Sequence, residues 1–374
     1  MYFHILKEKI MHSLGKTILF TVLPFLLFSC SSQKLSLSND SFFEIRTLKL
    51  SGAFYSSPIK TLNDNVVIGS HKKLVYFLSN KGNILHAEKT KGWIHATPSV
   101  IFDSLISIGS YDGNLYIFNE SGQKKTHIKP GGSVFTNTVQ LDSSKIVFGT
   151  NTGSIKFYDF ASKEYTDFET KRKIVHGSPT LLSDNSVAIG ANDKRMYILS
   201  AQSELISSFK TKGWIMHSKA LELADSLLSF GSYDKHLYTI NKKGDLEWSF
   251  KTRGKIHASP RLTHDGNIVF GSFDSYIYLL DSKGSLINKI KTKKRVISSA
   301  AITKNNYIII GSYDKHIYIL NSKGEKIISI PVGGRIFSSP IILRNGTIVC
   351  ATTNGLIHYI TPKMAFSEIE KALL

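Results

Sequence analysis

Apolar and polar residues alternate along this chain in short blocks that recur about every forty residues. Residues 254–293 contain four β-rich runs, Ser259–Leu262, Asn267–Ser272, Tyr276–Asp281 and Leu286–Lys291, separated by turn-forming residues. The second and third runs are apolar at nearly every position, which is typical of strands covered on both faces. No stretch of ten or more residues in the repeats has a helical period. The pattern predicts units of four antiparallel strands, A to D, joined by tight turns.

A column of small residues shows that this unit occurs eight times. The column consists of Gly69, Gly109, Gly149, Gly190, Gly231, Gly271, Gly311 and Ala351, spaced 40 or 41 residues apart. A fixed period of this length, built from short strands, is typical of a β-propeller. We therefore predict an all-β fold, an eight-bladed β-propeller of four-stranded antiparallel blades over residues 42–361.

The ends of the repeat region predict how the ring closes. The eighth unit, Gly334–Thr361, contains runs for strands A, B and C and then continues into Pro362. The missing D strand has a counterpart in Phe43–Leu50. An N-terminal strand that completes the last blade removes the open edge of the sheet. We expect this closure, followed by a short helix-like tail at residues 362–374.

The N-terminal region predicts export. Three lysines precede an apolar run from Ile18 to Phe28, which is too short for a spanning helix. The run ends in Leu-Phe-Ser-Cys at Cys30, which resembles the bacterial lipobox. We predict a lipoprotein signal peptide at residues 1–29, starting from Met1 or Met11, and lipidation of Cys30 with palmitate. The alternatives are a plain secretory signal or an anchor helix with an incidental cysteine.

Residues 30–41 are expected to form the lipidated tether, which spans at most roughly 35 Å when extended. The other cysteine, Cys350, stands in an apolar column and is expected to be a buried hydrophobic residue. With Cys30 committed to lipid, no disulfide framework is predicted.

Positive charge is concentrated in the segments that join each D strand to the next A strand. The chain has a net charge of +19. The segments carry Lys49, Lys89, Lys91, Lys129, Lys171, Arg172, Lys173, Lys210, Lys212, Lys251, Arg253, Lys255, Lys291, Lys293, Lys294, Arg295 and Arg335, against only Glu88 and Glu169. A propeller places all these segments on one face. The ring of charge is either a solvated rim or an attractive surface for an anionic partner.

A second column lies three residues before the recurrent proline of strand A. It consists of Tyr55, His95, Phe135, His176, His217, His257, Ile297 and Phe337. Zinc would require the ligating nitrogens to converge, and we expect the spacing between packed blades to keep them apart. We therefore favour aromatic-like packing over a metal site.

The B–C turns carry two further columns. Asp112, Asp193, Asp234, Asp274 and Asp314, with Asn354, are expected to cap their own turns. The preceding Tyr111, Tyr233, Phe273 and Tyr313 are expected at turn tips, where they contact a partner or pack on the next blade. Our candidate partner-binding residues are Tyr111, Tyr233, Tyr313, His95, His176, His217, His257, Lys212, Lys251, Arg253, Lys293 and Arg295.

The repeat resembles a known propeller family. The text Ser-Ser-Pro of Ser338–Pro340, with the segment Ile310–Gly324, is similar to the pyrroloquinoline-quinone (PQQ) type repeat. One branch of that superfamily consists of quinoprotein dehydrogenases, which use a vicinal cysteine pair and tryptophan docking motifs. This chain has no adjacent cysteines, and only Trp248 stands in a comparable D strand position. The lipobox favours the other branch, the BamB-like lipoproteins.

The resemblance implies a non-enzymatic protein-binding scaffold, without cofactor or metal, that assists outer-membrane protein assembly. It implies envelope proteins as partners, a monomeric propeller, a lipid anchor at the periplasmic face of the outer membrane and no nucleic acid. We found no catalytic constellation at a recognisable spacing. The alternative function is a quinoprotein-type dehydrogenase or a ligand-sensing propeller.

Overall fold

A computed structural model describes residues 39–171 and 174–373. These residues form eight four-stranded antiparallel sheets, each with its strands in the order A-B-C-D, which confirms the predicted propeller. The predicted signal peptide, Cys30 and most of the predicted tether lie outside the described residues. Within the described residues, no helix has both the length and the hydropathy needed to cross a membrane.

The A strands line the central channel, and the B strands follow them outward. The A strands are Ile59–Lys60, Ser99–Ile101, Val139–Gln140, Thr180–Leu181, Leu221–Glu222, Arg261–Leu262, Ala301–Ile302 and Ile341–Ile342. The B strands are Val66–Ser70, Leu105–Gly109, Lys145–Gly149, Val187–Gly190, Leu228–Gly231, Ile268–Gly271, Ile308–Gly311 and Ile348–Ala351.

The C strands are followed by the D strands at the outer edge. The C strands are Leu74–Leu78, Leu115–Phe118, Ser154–Asp159, Arg195–Leu199, His236–Ile240, Tyr276–Leu280, His316–Leu320 and Leu356–Pro362. The D strands are Ile84–Lys89, Lys124–Ile128, Tyr165–Glu169, Leu205–Lys210, Leu246–Lys251, Leu286–Lys291, Lys326–Pro331 and, for the eighth blade, Phe43–Lys49. Two helices, Asn39–Phe42 and Phe366–Leu373, and a 3-10 turn at Ala224–Ser226 complete the described elements.

The glycine column exists because neighbouring blades approach closely at this position. A Cβ atom at Gly271 would overlap the side chain of Val296, which lies in the segment leading into the next blade. Gly69 stands in the same relation to Ile94. The B and C strands on either side are almost wholly buried, so each blade is covered on both faces.

The N-terminal strand closes the ring as predicted. Phe43–Lys49 pairs antiparallel with the C strand of the eighth blade in a register that runs from Phe43 opposite Pro362 to Lys49 opposite Leu356. Leu50 extends the pairing, since its N–H donates to the carbonyl of Gly355 at 2.9 Å. Phe43 is 1% exposed. The closing strand is therefore held by backbone hydrogen bonds and by burial.

The C-terminal helix packs against the closing strand and the seventh blade. Ile369 is fully buried, and the ring of Phe366 lies 6.4 Å from that of Phe43. Glu370 accepts hydrogen bonds from the hydroxyl of Tyr307 at 3.1 Å and from the amide of Asn321 at 2.9 Å. The helix thus covers the point where the two ends of the propeller meet.

Candidate functional site

The B–C turns and the D–A segments lie together on one face of the propeller, here called the D–A face. The backbone N–H of Tyr111 donates to the carbonyl of Trp93 at 3.0 Å, and that of Tyr233 donates to the carbonyl of Trp214 at 2.9 Å. The same bond recurs in other blades. Each turn is therefore tied to the segment that enters its own blade.

Four histidines meet at the axis of this face. We call His95, His176, His217 and His257 the histidine cluster. Their ring centroids are 5.1 Å apart for His95 and His217, 5.5 Å for His176 and His217, and 4.6 Å for His217 and His257. Phe337 stands edge-on to His257 at 5.1 Å. Our expectation that blade spacing would keep these side chains apart is wrong, because they project inward to the axis.

The histidine rings pack on their faces. The planes of His176 and His217 differ by 13°, and those of His217 and His257 by 24°. Stacked rings do not aim their nitrogens at a common point, as a metal site requires. Among the residues that the structure describes, no group of three or more His, Cys, Asp or Glu side chains is arranged to hold a metal ion.

The cluster has few polar partners. A nitrogen contact of 3.3 Å links His95 Nδ1 to His71 Nε2, and another of 3.3 Å links His176 Nδ1 to the side-chain amide of Asn192. Nε2 of His95 is buried and has no partner within the described chain. Burial lowers the pKa to about 3 in His95 and His257, to about 4 in His176, and well below 6.5 in His217. The cluster is therefore neutral near neutral pH.

His217 has an unusual backbone. The interval from the recurrent glycine of one blade to the histidine that enters the next blade is one residue longer at Gly190–His217 than at Gly69–His95 or Gly231–His257. Met216 therefore stands between Ile215 and His217. His217 adopts φ of 60°, and its N–H donates to the carbonyl of His176 at 3.1 Å. A non-glycine residue in this region is uncommon and points to a local constraint.

The aromatic turn residues differ in exposure. Tyr111 is 38% exposed, whereas Tyr313 is only 8% exposed. The guanidinium of Arg295 lies 4.3 Å from the ring centroid of Tyr313. Tyr233 is half-buried, and the ammonium of Lys255 lies 4.9 Å from its ring centroid. Of the three candidate tyrosines, Tyr111 presents the most free ring surface.

Two tryptophans that the sequence reasoning did not select are more exposed than these tyrosines. Trp93 is 51% exposed and Trp214 is 44% exposed. Trp93 stacks on His71 at 5.2 Å and lies 6.0 Å from Tyr111. Both tryptophans directly follow the glycine of a D–A segment. This shared position is the sequence feature that identifies them as candidates.

The basic residues surround this aromatic surface. Arg172 and Lys173 lie outside the described residues, and the other fifteen of the seventeen are all exposed. They include the candidates Lys212, Lys251, Arg253, Lys293 and Arg295. None of the fifteen belongs to an ion pair within the described chain. The D–A face is therefore positively charged with aromatic side chains at intervals.

The central channel begins directly beneath the histidine cluster. It encloses about 310 Å³ and is lined by residues of all eight blades. Two positions after the histidine column, each blade contributes one polar side chain, namely Ser57, Thr97, Asn137, Ser178, Lys219, Ser259, Ser299 and Ser339. Arg261 lines the same space. The sequence reasoning missed this ring, although it repeats with the same period.

Comparisons with known proteins support the fold. A family model described as the lambda-carrageenase β-propeller domain matches residues 222–305, so it does not confirm the PQQ-type repeat. Curated protein sequences give no match. Among solved structures, BamB from Moraxella catarrhalis is similar with a TM-score of 0.70 and 17% identity, over 86% of this chain and 99% of that one.

A computationally designed protein, Ika8, is similar to the same degree. The TM-score is 0.71 with 15% identity, over 84% of this chain and 97% of that one. At these identities the similarity extends to the architecture of the ring. The chain is an eight-bladed β-propeller that is structurally similar to BamB.

Proposed function

We propose that this protein is a non-enzymatic scaffold lipoprotein of the bacterial envelope, BamB-like, that holds a protein partner on its D–A face. The observation that carries the proposal is the exposure of Trp93, Trp214 and Tyr111 among basic side chains that form no ion pair with any described residue. Exposed aromatic residues on a soluble surface are the usual anchors of protein interfaces. Lipid on Cys30 would hold the scaffold at the periplasmic face of the outer membrane, where it would assist protein assembly.

The chemistry of the face favours an acidic loop or extended strand as the partner. Cations such as Lys212 and Arg253 are exposed, so their main effect is to accelerate encounter and make it sensitive to salt. The indole rings of Trp93 and Trp214 offer larger apolar contact areas, which slow dissociation once the partner is seated. The basic residues therefore act on the association rate constant, and the tryptophans act on the dissociation rate constant.

The test compares two pairs of apolar residues with similar exposure. Partners are first identified by crosslinking in intact cells and then purified, and their binding is measured for two double variants. One is Trp93→Ala with Trp214→Ala on the D–A face. The control is Leu205→Ala with Ile206→Ala, which are 51% and 53% exposed at the other end of a D strand. The unfolding temperature of each variant confirms equal folding.

We expect the tryptophan pair to weaken binding by at least about tenfold and the control pair to leave it unchanged. The reverse result would place the working surface at the opposite rim. Lys212→Ser with Arg253→Ser should slow association and flatten its salt dependence while leaving dissociation unchanged. Reduction of a dye with alcohols or sugars, after addition of PQQ and calcium, would overturn the non-enzymatic proposal.

A further inference from the structure

The central channel contains two cations without a counterion. Lys219 and Arg261 both line it, and no aspartate or glutamate does. Neither side chain forms an ion pair or a hydrogen bond within the described residues. Charges inside a protein are normally paired, because leaving water is costly for an ion. Lys219 is half-buried and Arg261 faces the open space of the channel, so both cations are available to an anion that enters it.

Three hydroxyls of the polar ring, on the opposite side of the channel from these cations, have hydrogens to donate. The N–H of Ser299 donates to Ser339 Oγ at 2.9 Å, and the N–H of Ser339 donates to Ser57 Oγ at 2.9 Å. The N–H of Ser57 in turn donates to Thr97 Oγ1 at 3.3 Å. These three hydroxyls accept a backbone hydrogen bond and donate none within the described chain. Each keeps its own hydrogen available for an acceptor in the channel.

The two cations are charged and reachable under ordinary conditions. Burial, with a smaller contribution from Arg261, lowers the pKa of Lys219 to about 8, which leaves the ammonium mostly protonated near neutral pH. Arg261 is exposed although blades surround it, so its surface faces solvent inside the channel. The volume of about 310 Å³ lies at the lower end of the range for small-molecule sites.

We propose that the central channel is a binding site for a small oxyanion, a carboxylate or phosphate group, held by Lys219, Arg261 and the surrounding hydroxyls. The histidine cluster closes the channel on the D–A face, and the ligand enters from the side of the A–B turns. Charge-assisted hydrogen bonds from an ammonium and a guanidinium are the strongest contacts available to such a group. His95, His217 and His257 line the D–A end of this channel, whereas Trp93, Trp214 and Tyr111, which carry the proposed protein binding, do not line it.

The experiment measures anion binding to the whole chain by calorimetry and by the unfolding temperature. The probes are succinate, inorganic phosphate and inorganic sulfate, each compared with sodium chloride at the same ionic strength. Lys219→Ser introduces the residue that blades 6, 7 and 8 carry at this position, and Arg261→Ile introduces the residue of blades 1 and 8. The control, Lys212→Ser, removes an exposed cation from the same D–A segment.

We expect at least one probe to bind and to raise the unfolding temperature more than sodium chloride does. Lys219→Ser and Arg261→Ile should each weaken binding by at least about tenfold, and Lys212→Ser should leave it unchanged. Without added anion, Lys219→Ser should unfold at the same or a higher temperature, because an unpaired charge is removed. Lys219→Arg, which keeps the charge, should retain binding.

Two results would overturn the proposal. The first is that none of the three anions exceeds the effect of sodium chloride on the parent protein. The second is that Lys212→Ser reduces binding as much as Lys219→Ser does, which would show general attraction to the basic face. A preference for succinate over phosphate, or the reverse, identifies which oxyanion the channel selects.

Discussion

A single aspartate in each of several B–C turns joins two neighbouring blades. Oδ2 of Asp234 accepts hydrogen bonds from the N–H of Lys212 at 2.8 Å and from the N–H of Gly213 at 3.2 Å. Both donors belong to the segment that arrives from the previous blade. The same oxygen accepts from the hydroxyl of Tyr238 at 3.0 Å. The role is therefore wider than the turn cap that the sequence predicts, since the carboxylate also fixes the entry into the blade.

Replacing this carboxylate should destabilise the protein more than replacing an exposed one. We expect Asp234→Ala to lower the free energy of unfolding by about 2–3 kcal/mol, because it leaves several donors without an acceptor. Asp245→Ala, which removes an exposed acceptor of Asn241, should change it by less than about 0.5 kcal/mol. Urea denaturation measures both. Equal losses would show that the blade junction does not depend on Asp234.

The histidine cluster makes stability depend on pH. His257 is 6% exposed, and burial lowers its pKa to about 3 in the folded state. In the unfolded chain this histidine has a pKa near 6.5. Its contribution to the free energy of unfolding is therefore fully present above pH 6.5, and it is lost as the pH falls toward the pKa of the folded state. From about pH 7 to about pH 5, His257 alone should cost about 2 kcal/mol.

The measurement is urea denaturation across that pH range. His257→Phe, which introduces the residue that the same column has at Phe135 and Phe337, should flatten the pH dependence by about that amount. His264→Phe, at an exposed position in an A–B turn, is the control and should leave the slope unchanged. An unchanged slope in His257→Phe would mean that the cluster takes up protons without unfolding.

At the scale of residues, the repeat identifies equivalent positions in the sequence. It does not show which side chains meet across the axis of the propeller. The glycine column was found from its spacing, while its cause, contact with residues such as Val296, required the structure. Residues that depart from a column were overlooked. Lys219 interrupts a run of hydroxyl residues, and Met216 shifts His217 by one position. Sequence alone does not show that Lys219 and His217 line the same channel.

At the scale of elements, closure was predictable because a whole strand was missing from one end and present at the other. The docking of the C-terminal helix was not, because only Phe366 and Ile369 are buried in it. Two apolar residues three positions apart identify a helix face without identifying what covers it. The covering surface includes Phe43 and Tyr307, which are far away in the sequence.

The closing strand should determine the stability of the ring. A chain that begins at Leu50 loses the strand together with the buried Phe42 and Phe43, and opens an edge on the eighth blade. We expect the free energy of unfolding to fall by more than about 4 kcal/mol, since each phenylalanine contributes about 2 kcal/mol by burial. A chain that begins at Asn39 should match a chain that begins at Cys30 in thermal unfolding. If the two truncations unfold at the same temperature, Phe43–Lys49 does not hold the ring closed.

At the scale of the whole molecule, the repeated blades gather the excess of basic residues on one face. Fifteen exposed cations lie in equivalent segments, and the propeller brings those segments to one face. A face of this charge attracts anionic surfaces as well as acidic proteins. Attachment to a membrane through the basic face and attachment through lipid on Cys30 are therefore two separable mechanisms.

Salt distinguishes these mechanisms in a test of the lipid anchor, which remains a prediction because Cys30 lies outside the described residues. We expect Cys30→Ser to lose palmitate labelling and to leave the membrane fraction, whereas the parent protein should stay there in high salt, which screens surface charge. Cys350→Val is the control, since Cys350 is fully buried and burial raises the pKa of its thiol to about 12. It should keep both the label and the membrane fraction. If Cys30→Ser remains membrane-bound and is released only by salt, the basic face supplies the attachment and the lipid prediction is wrong.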